Sequence, residues 1–162
     1  AGLSVFVGGI WRWKGLGKEE VATEKTRRSE SKVGRCDITF RVERKVFLGE
    51  AKQQWPLLTN ENARGNLEET NRVIKQACRE SLHTKDLRAT HLGIVFITPR
   101  IHNGKRRFLE DFLLGYVNTL SARKDITLAW QFPKWARDLH SLARSFENYI
   151  YPGVILVMKK AS

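Results

Sequence analysis

Asp37, Glu50 and Lys52 are the residues of this chain whose types and spacing could do chemistry together. Two carboxylates brought to one place repel each other. A neighbouring amine offsets part of that repulsion, and a hard divalent cation held by carboxylate oxygens offsets the rest. Magnesium, or manganese in its place, suits a site with two or three acids: it takes few protein ligands, keeps several waters and accepts phosphate oxygens. The reaction that follows is phosphodiester hydrolysis. The metal would orient and acidify a water and stabilise charge on the phosphate, while Lys52 holds the attacking water and the developing negative charge.

A β-hairpin is the element that must position these groups. Its strands are Gly34-Arg35-Cys36-Asp37-Ile38-Thr39-Phe40 and Val46-Phe47-Leu48-Gly49-Glu50-Ala51-Lys52. A symmetric turn centred on Glu43 and Arg44, with a loop of two or of four residues, pairs Arg41 with Val46 and therefore Asp37 with Glu50. Side chains alternate along a strand, so Asp37, Thr39, Leu48, Glu50 and Lys52 share one face. Ile38, Phe40, Val42, Phe47 and Ala51 share the other and supply an apolar anchor. Opposed Cβ atoms lie about 5 Å apart, close enough for the two acids to grip one ion.

At these residues the sequence resembles the PD-(D/E)xK nuclease superfamily, with Asp37 on one strand and Glu50-Ala51-Lys52 on the next, twelve residues between them. The resemblance implies an α/β, restriction-endonuclease-like fold: a central mixed β-sheet flanked by helices. It also implies that Asp37, Glu50 and the main-chain carbonyl of Ala51 bind one or two magnesium ions and that Lys52 is catalytic. It covers roughly residues 17 to 98. Cys36 stands where the eponymous Pro would be, a position commonly replaced in the superfamily. The triplet Glu-x-Lys also occurs at Glu30-Ser31-Lys32 and Glu43-Arg44-Lys45. Only Glu50-Ala51-Lys52 closes an apolar strand with an Asp opposite, and the competing reading is a solvated strand face carrying an ordinary Glu–Lys pair.

The family often draws a further Glu from a helix before the Asp strand. Lys18 to Arg28 reads as helical, with Glu20 and Glu24 one turn apart on a shared face. Glu24, nearer the hairpin, is the expected third metal ligand; an intrahelical pair with Arg28 is the alternative.

Beyond the hairpin, Trp55-Pro56 ends the extended segment. From Ala63 to His83, Leu67, Ile74, Cys78 and Leu82 recur at helical spacing, and Arg72, Lys75 and Arg79 form a basic stripe on another face. His91 to Thr98 is an apolar, β-branched run that reads as a strand covered on both faces, the return of a β-α-β crossover. The last third continues as α/β additions to the same sheet. A helix follows the basic run Lys105-Arg106-Arg107, a half-buried strand holds Ile126, Leu128, Trp130 and Phe132, a helix holds Trp135, Leu139, Leu142 and Phe146, and a last strand runs from Val154 to Met158. Residues 1–162 read as a single nuclease-like domain.

A net charge of +12 favours a polyanionic partner, and nucleic acid, DNA ahead of RNA, is the expected one. Arg72, Lys75, Arg79, Lys105, Arg106 and Arg107, with Gln53 just past Lys52, are the candidate contacts to it. Trp11-Arg12-Trp13-Lys14 interleaves aromatic and basic residues and is the candidate for base stacking, while Trp130 and Trp135 lie in apolar patterns and read as core. The two cysteines, Cys36 and Cys78, lack ligand spacing and read as buried thiols of a cytoplasmic protein. The four histidines suggest neither zinc nor a triad. No apolar run has the length of a membrane span, so no membrane partner is expected. Cutting both strands of a duplex with one site per chain favours a homodimer. The expectation is a magnesium-dependent nuclease; the alternative is a non-catalytic basic protein that holds nucleic acid on a similar scaffold.

Overall fold

The structure is a computed structural model and describes residues 16–22, 35–59, 63–84, 88–132 and 148–162. In chain order the described elements are β1 (Leu16–Ala22), β2 (Arg35–Val42), β3 (Lys45–Gln54), α1 (Ala63–Ser81), β4 (Thr90–Ile97), β5 (Ile101–His102), a 3-10 helix (Asn103–Phe108), α2 (Leu109–Ser121), β6 (Thr127–Gln131), β7 (Tyr149–Ile150) and β8 (Val154–Lys160). The class is α/β. A six-stranded mixed sheet has the order β1-β2-β3-β4-β8-β6, and β5 and β7 form a separate antiparallel ribbon. The strand after α1 lies beside the hairpin, as the crossover pattern predicts.

The chain clusters into two compact units. The first comprises Ala1–Lys52, Ile74–Ile94 and Lys159–Ser162, the second Gln53–Val73 and Val95–Met158. In the first, Cys36, Ile38 and Phe40 are buried at alternate positions of β2, the two-residue period of a strand with one covered face. The Phe40 and Phe47 rings stack with centroids 4.9 Å apart, the cross-strand pair that the hairpin register requires. Ile74, Ala77 and Cys78 bury the opposing side of α1 at three- and four-residue spacing. Gly93 lets β4 come against that helix: a Cβ there would lie 2.7 Å from both the Cys78 backbone nitrogen and its Sγ. Gly49 does the same for β3, where a Cβ would meet Ile94 Cδ1 at 2.6 Å.

The second unit has its own core, which includes Leu58, Ile97, Ile101, Leu113, Val117 and Leu120. A buried polar chain threads it. Thr70 Oγ1 hydrogen-bonds Gln54 Oε1 at 2.8 Å, the Asn66 carbonyl at 2.8 Å and the Tyr116 hydroxyl at 2.6 Å, so that β3, α1 and α2 meet through satisfied polar groups. Burial pushes the Tyr116 phenol up to about 12, against the opposing hydrogen bond of Thr70.

Three expectations are corrected. Lys18 to Ala22 is not helical: Leu16–Ala22 is a strand that pairs antiparallel with β2 from Leu16↔Arg41 to Ala22↔Arg35. The ladder along β2 outweighs the helical propensity of Lys18-Glu19-Glu20. Residues 23–28, with Glu24, lie outside the described residues, as do Trp11, Trp13 and the expected helix around Trp135. Leu82 does not join the apolar face of α1; the helix ends at Ser81 and Leu82 is exposed. Trp130 is half exposed rather than core, because β6, paired with β8, is the terminal strand of the sheet among the described residues.

Candidate active site

The hairpin register is the expected one. β2 and β3 pair Val42↔Lys45, Arg41↔Val46, Phe40↔Phe47, Thr39↔Leu48 and Ile38↔Gly49, around a loop of Glu43 and Arg44. Rungs of an antiparallel pair alternate between hydrogen-bonded and non-bonded. Counting from Val42↔Lys45 makes Ile38↔Gly49 a bonded rung and the last of the ladder, with Asp37 and Glu50 the next residues of their strands.

The regular ladder stops there, and side chains take over its bonds. Ala51 N–H donates to Asp37 Oδ2 at 2.8 Å, where the continued register would give it the Cys36 carbonyl. The Cys36 thiol donates to the carbonyls of Ile38, at 2.9 Å, and of Gly49, at 3.3 Å. Burial pushes that thiol above its ordinary value and so keeps it protonated and donating. In an extended strand a residue's N–H and C=O share one edge, so the Ala51 carbonyl faces the same edge as Asp37.

Lys52 lies on the same face as Glu50 and donates to Glu50 Oε1 at 2.9 Å. The same ammonium is ion-paired with Glu80 Oε2, from the last turn of α1. Glu80 Oε1 in turn accepts from Gln76 Nε2 at 2.8 Å, one helical turn earlier. Burial raises the Glu50 carboxyl above the carboxylate range; the Lys52 hydrogen bond opposes the rise and the Asp37 charge adds to it. The Glu80 carboxyl is lowered, chiefly by its hydrogen bond from Lys52. Burial pulls the Lys52 amine down, but its hydrogen bonds and charge contacts with Glu80 and Glu50 leave it above the ordinary lysine value. The result is an ammonium between two acids, with a third acid beside one of them.

Asp37, Glu50, Ala51 and Lys52 are therefore brought together, all within the first unit. Glu24 is outside the described residues. Gln53 is exposed on β3. Arg72, Lys75 and Arg79 are exposed along α1, and Arg72 makes a two-pronged pair with Glu69, Nε to Oε2 at 2.8 Å and a terminal nitrogen to Oε1 at 2.6 Å. Lys105, Arg106 and Arg107 are exposed in the 3-10 helix of the second unit, with the Arg107 guanidinium 4.6 Å from the centroid of the Phe108 ring.

Glu80 and Gln76 are the residues that sequence reasoning missed. A signal for Glu80 exists: a carboxylate in the last turn of a helix faces the negative end of the macrodipole and needs a cationic partner elsewhere.

Two adjacent carboxylates and a strand carbonyl fit a magnesium ion that keeps most of its waters. Among the described residues no group of three His, Cys, Asp or Glu side chains is close enough to hold an ion. No helix among them is long and apolar enough to cross a membrane. No family model, curated protein or solved structure matches the chain.

Proposed function

We propose that the chain is a metal-dependent nuclease of the PD-(D/E)xK type, with a restriction-endonuclease-like fold, acting on DNA in preference to RNA. One observation carries this reading: Asp37 and Glu50 are the next residues of their strands after the last rung of the hairpin, Asp37 accepting from the Ala51 N–H and Glu50 from the Lys52 ammonium. Burial first, and the Asp37 charge after it, hold the Glu50 carboxyl above its ordinary value, and a divalent cation would favour its ionised form. Asp37 and Glu50, with the Ala51 carbonyl, would hold magnesium or manganese.

When bound, the ion supplies a water of lowered pKa and positive charge for the phosphate oxygens. The chain's own part is positional. Asp37, tied to the Ala51 N–H, is fixed in direction along the β2–β3 edge. Lys52 offers ammonium protons to the attacking oxygen and to the charge that grows on the phosphate. Within the first unit, Lys75 and Arg79 of α1 would contact the phosphates of the strand, and binding would weaken steeply with salt.

The test is cleavage of supercoiled plasmid and of labelled single- and double-stranded DNA and RNA with magnesium, manganese or chelator. Wild-type cleavage that needs metal and is lost in Asp37→Asn and Lys52→Ala supports the reading. Salt-sensitive binding without cleavage in any metal would replace it with a non-catalytic nucleic-acid binder.

A further inference from the structure

We infer that Glu80 is the positioning residue for Lys52: braced by Gln76, it gives the ammonium a second carboxylate partner beside Glu50, one that keeps the amine at the site when a cation takes Glu50. This rests on the nuclease reading of the same site.

Lys52 and Glu50 are two residues apart on one face of β3, and the amine reaches Glu50 Oε1 at 2.9 Å. Left with that partner alone, the ammonium would settle on Glu50, the more enclosed of the two acids, with 13% of its side chain exposed against 32% for Glu80. A cation would then have to displace the amine before it could bind. Glu80 changes that balance because it approaches from a different element, the last turn of α1.

Both oxygens of Glu80 are engaged, Oε1 by Gln76 and Oε2 by Lys52, so its direction is set. Its place in the helix argues the same way. At a helix C-terminus a carboxylate is unfavourable by local electrostatics, and its ion pair with Lys52 offsets that cost. When a cation takes Glu50, Lys52 keeps Glu80 as its partner and stays poised at the site instead of swinging into solvent.

The experiment is a double-mutant cycle of Glu80→Gln and Lys52→Ala, read by the rate of plasmid cleavage. It is joined to lysine-selective ¹⁵N NMR of ammonium proton exchange in the metal-free protein. Glu80→Gln is expected to lower kcat about tenfold with KM for DNA unchanged, and to have almost no further effect once Lys52 is Ala, the non-additivity of groups in one network. Lys52 ammonium exchange should speed up in Glu80→Gln, and to a smaller extent in Gln76→Ala, a variant with less risk to the helix end. Equal losses of activity in both backgrounds, or an ammonium exchange rate indifferent to both substitutions, overturns the inference. Absence of any metal-dependent cleavage in the wild type sinks the nuclease reading instead, and the NMR result still decides whether Glu80 holds Lys52.

Discussion

The backbone N–H of Ala51 donates to Asp37 Oδ2 across 2.8 Å, so the first acid of the candidate site also closes the hairpin at that end. Stability and chemistry can therefore be separated by choice of substitution. Asp37→Asn keeps an oxygen acceptor, whereas Asp37→Ala leaves the Ala51 donor without a partner at a cost of about 1–2 kcal/mol. Denaturant unfolding should rank wild type and Asn together and Ala below them. Metal-dependent cleavage should fall by about 100-fold or more in both, since each removes a charge placed for the ion.

Glu50 and Glu80 should respond oppositely to pH. The folded Glu50 holds its proton more tightly than the ordinary value of 4.5 would predict, chiefly through burial, so its ionisation weakens the fold as pH rises through the window above 4.5. Glu80 is lowered, so its stabilising effect is present above 4.5 and lost as pH falls through its folded value. Thermal melts of Glu50→Gln should show a Tm at or above wild type near pH 7, with the gain fading towards pH 4.5. Glu80→Gln should melt below wild type at pH 7 and converge with it in acid.

Tyr116 supplies a second pH handle, within the other unit. Its phenol is pushed up to about 12 by burial, so the folded state keeps a proton that the unfolded chain loses near 10. The fold should lose on the order of 3 kcal/mol between those values through this group alone. Tyr116→Phe removes the 2.6 Å bond to Thr70, costing about 1 kcal/mol at neutral pH. Its urea midpoint should then fall less than wild type's between pH 10 and 12.

Gly93→Ala should destabilise by about 1–3 kcal/mol, because its Cβ would meet backbone as well as Cys78 Sγ where β4 lies on α1. Gly49→Ala should cost less. There the obstructing atoms are side-chain carbons of Ile94 and Ile38, with no backbone atom among them. Chemical denaturation of the two variants side by side checks the order.

Glu43 holds φ at +54° in the hairpin loop, a left-handed conformation that strains a residue with a Cβ. Glu43→Gly should stabilise the protein by up to about 1 kcal/mol without changing the register, and a rise in the urea midpoint would show it.

What could be read from the chain follows from how local each determinant is. The rung opposite Arg41 is set by a two-residue loop, so the register that brings Asp37 and Glu50 to the same end of the hairpin was legible within fourteen residues of sequence. The span of α1 and the buried run of β4 were legible for the same reason: their periodicity lies within the element. Glu80 was not, because nothing near it in sequence says that α1 ends against Lys52, which precedes it by most of a helix and a loop. β1 was misread because Lys18-Glu19-Glu20 favours a helix locally, while its pairing is decided by the open edge of β2. Trp130 looked buried by alternation alone, which cannot tell a terminal strand from a central one.

The two acids stand past the final regular rung of the hairpin, and the bonded rungs below them are closed by main-chain bonds that take nothing from the Glu50 or Lys52 side chains. Loss of Glu50 or Lys52 is thus decoupled from loss of the hairpin ladder. A descendant stripped of Glu50 or Lys52 could remain a sound, strongly cationic body that grips polynucleotides and leaves them whole.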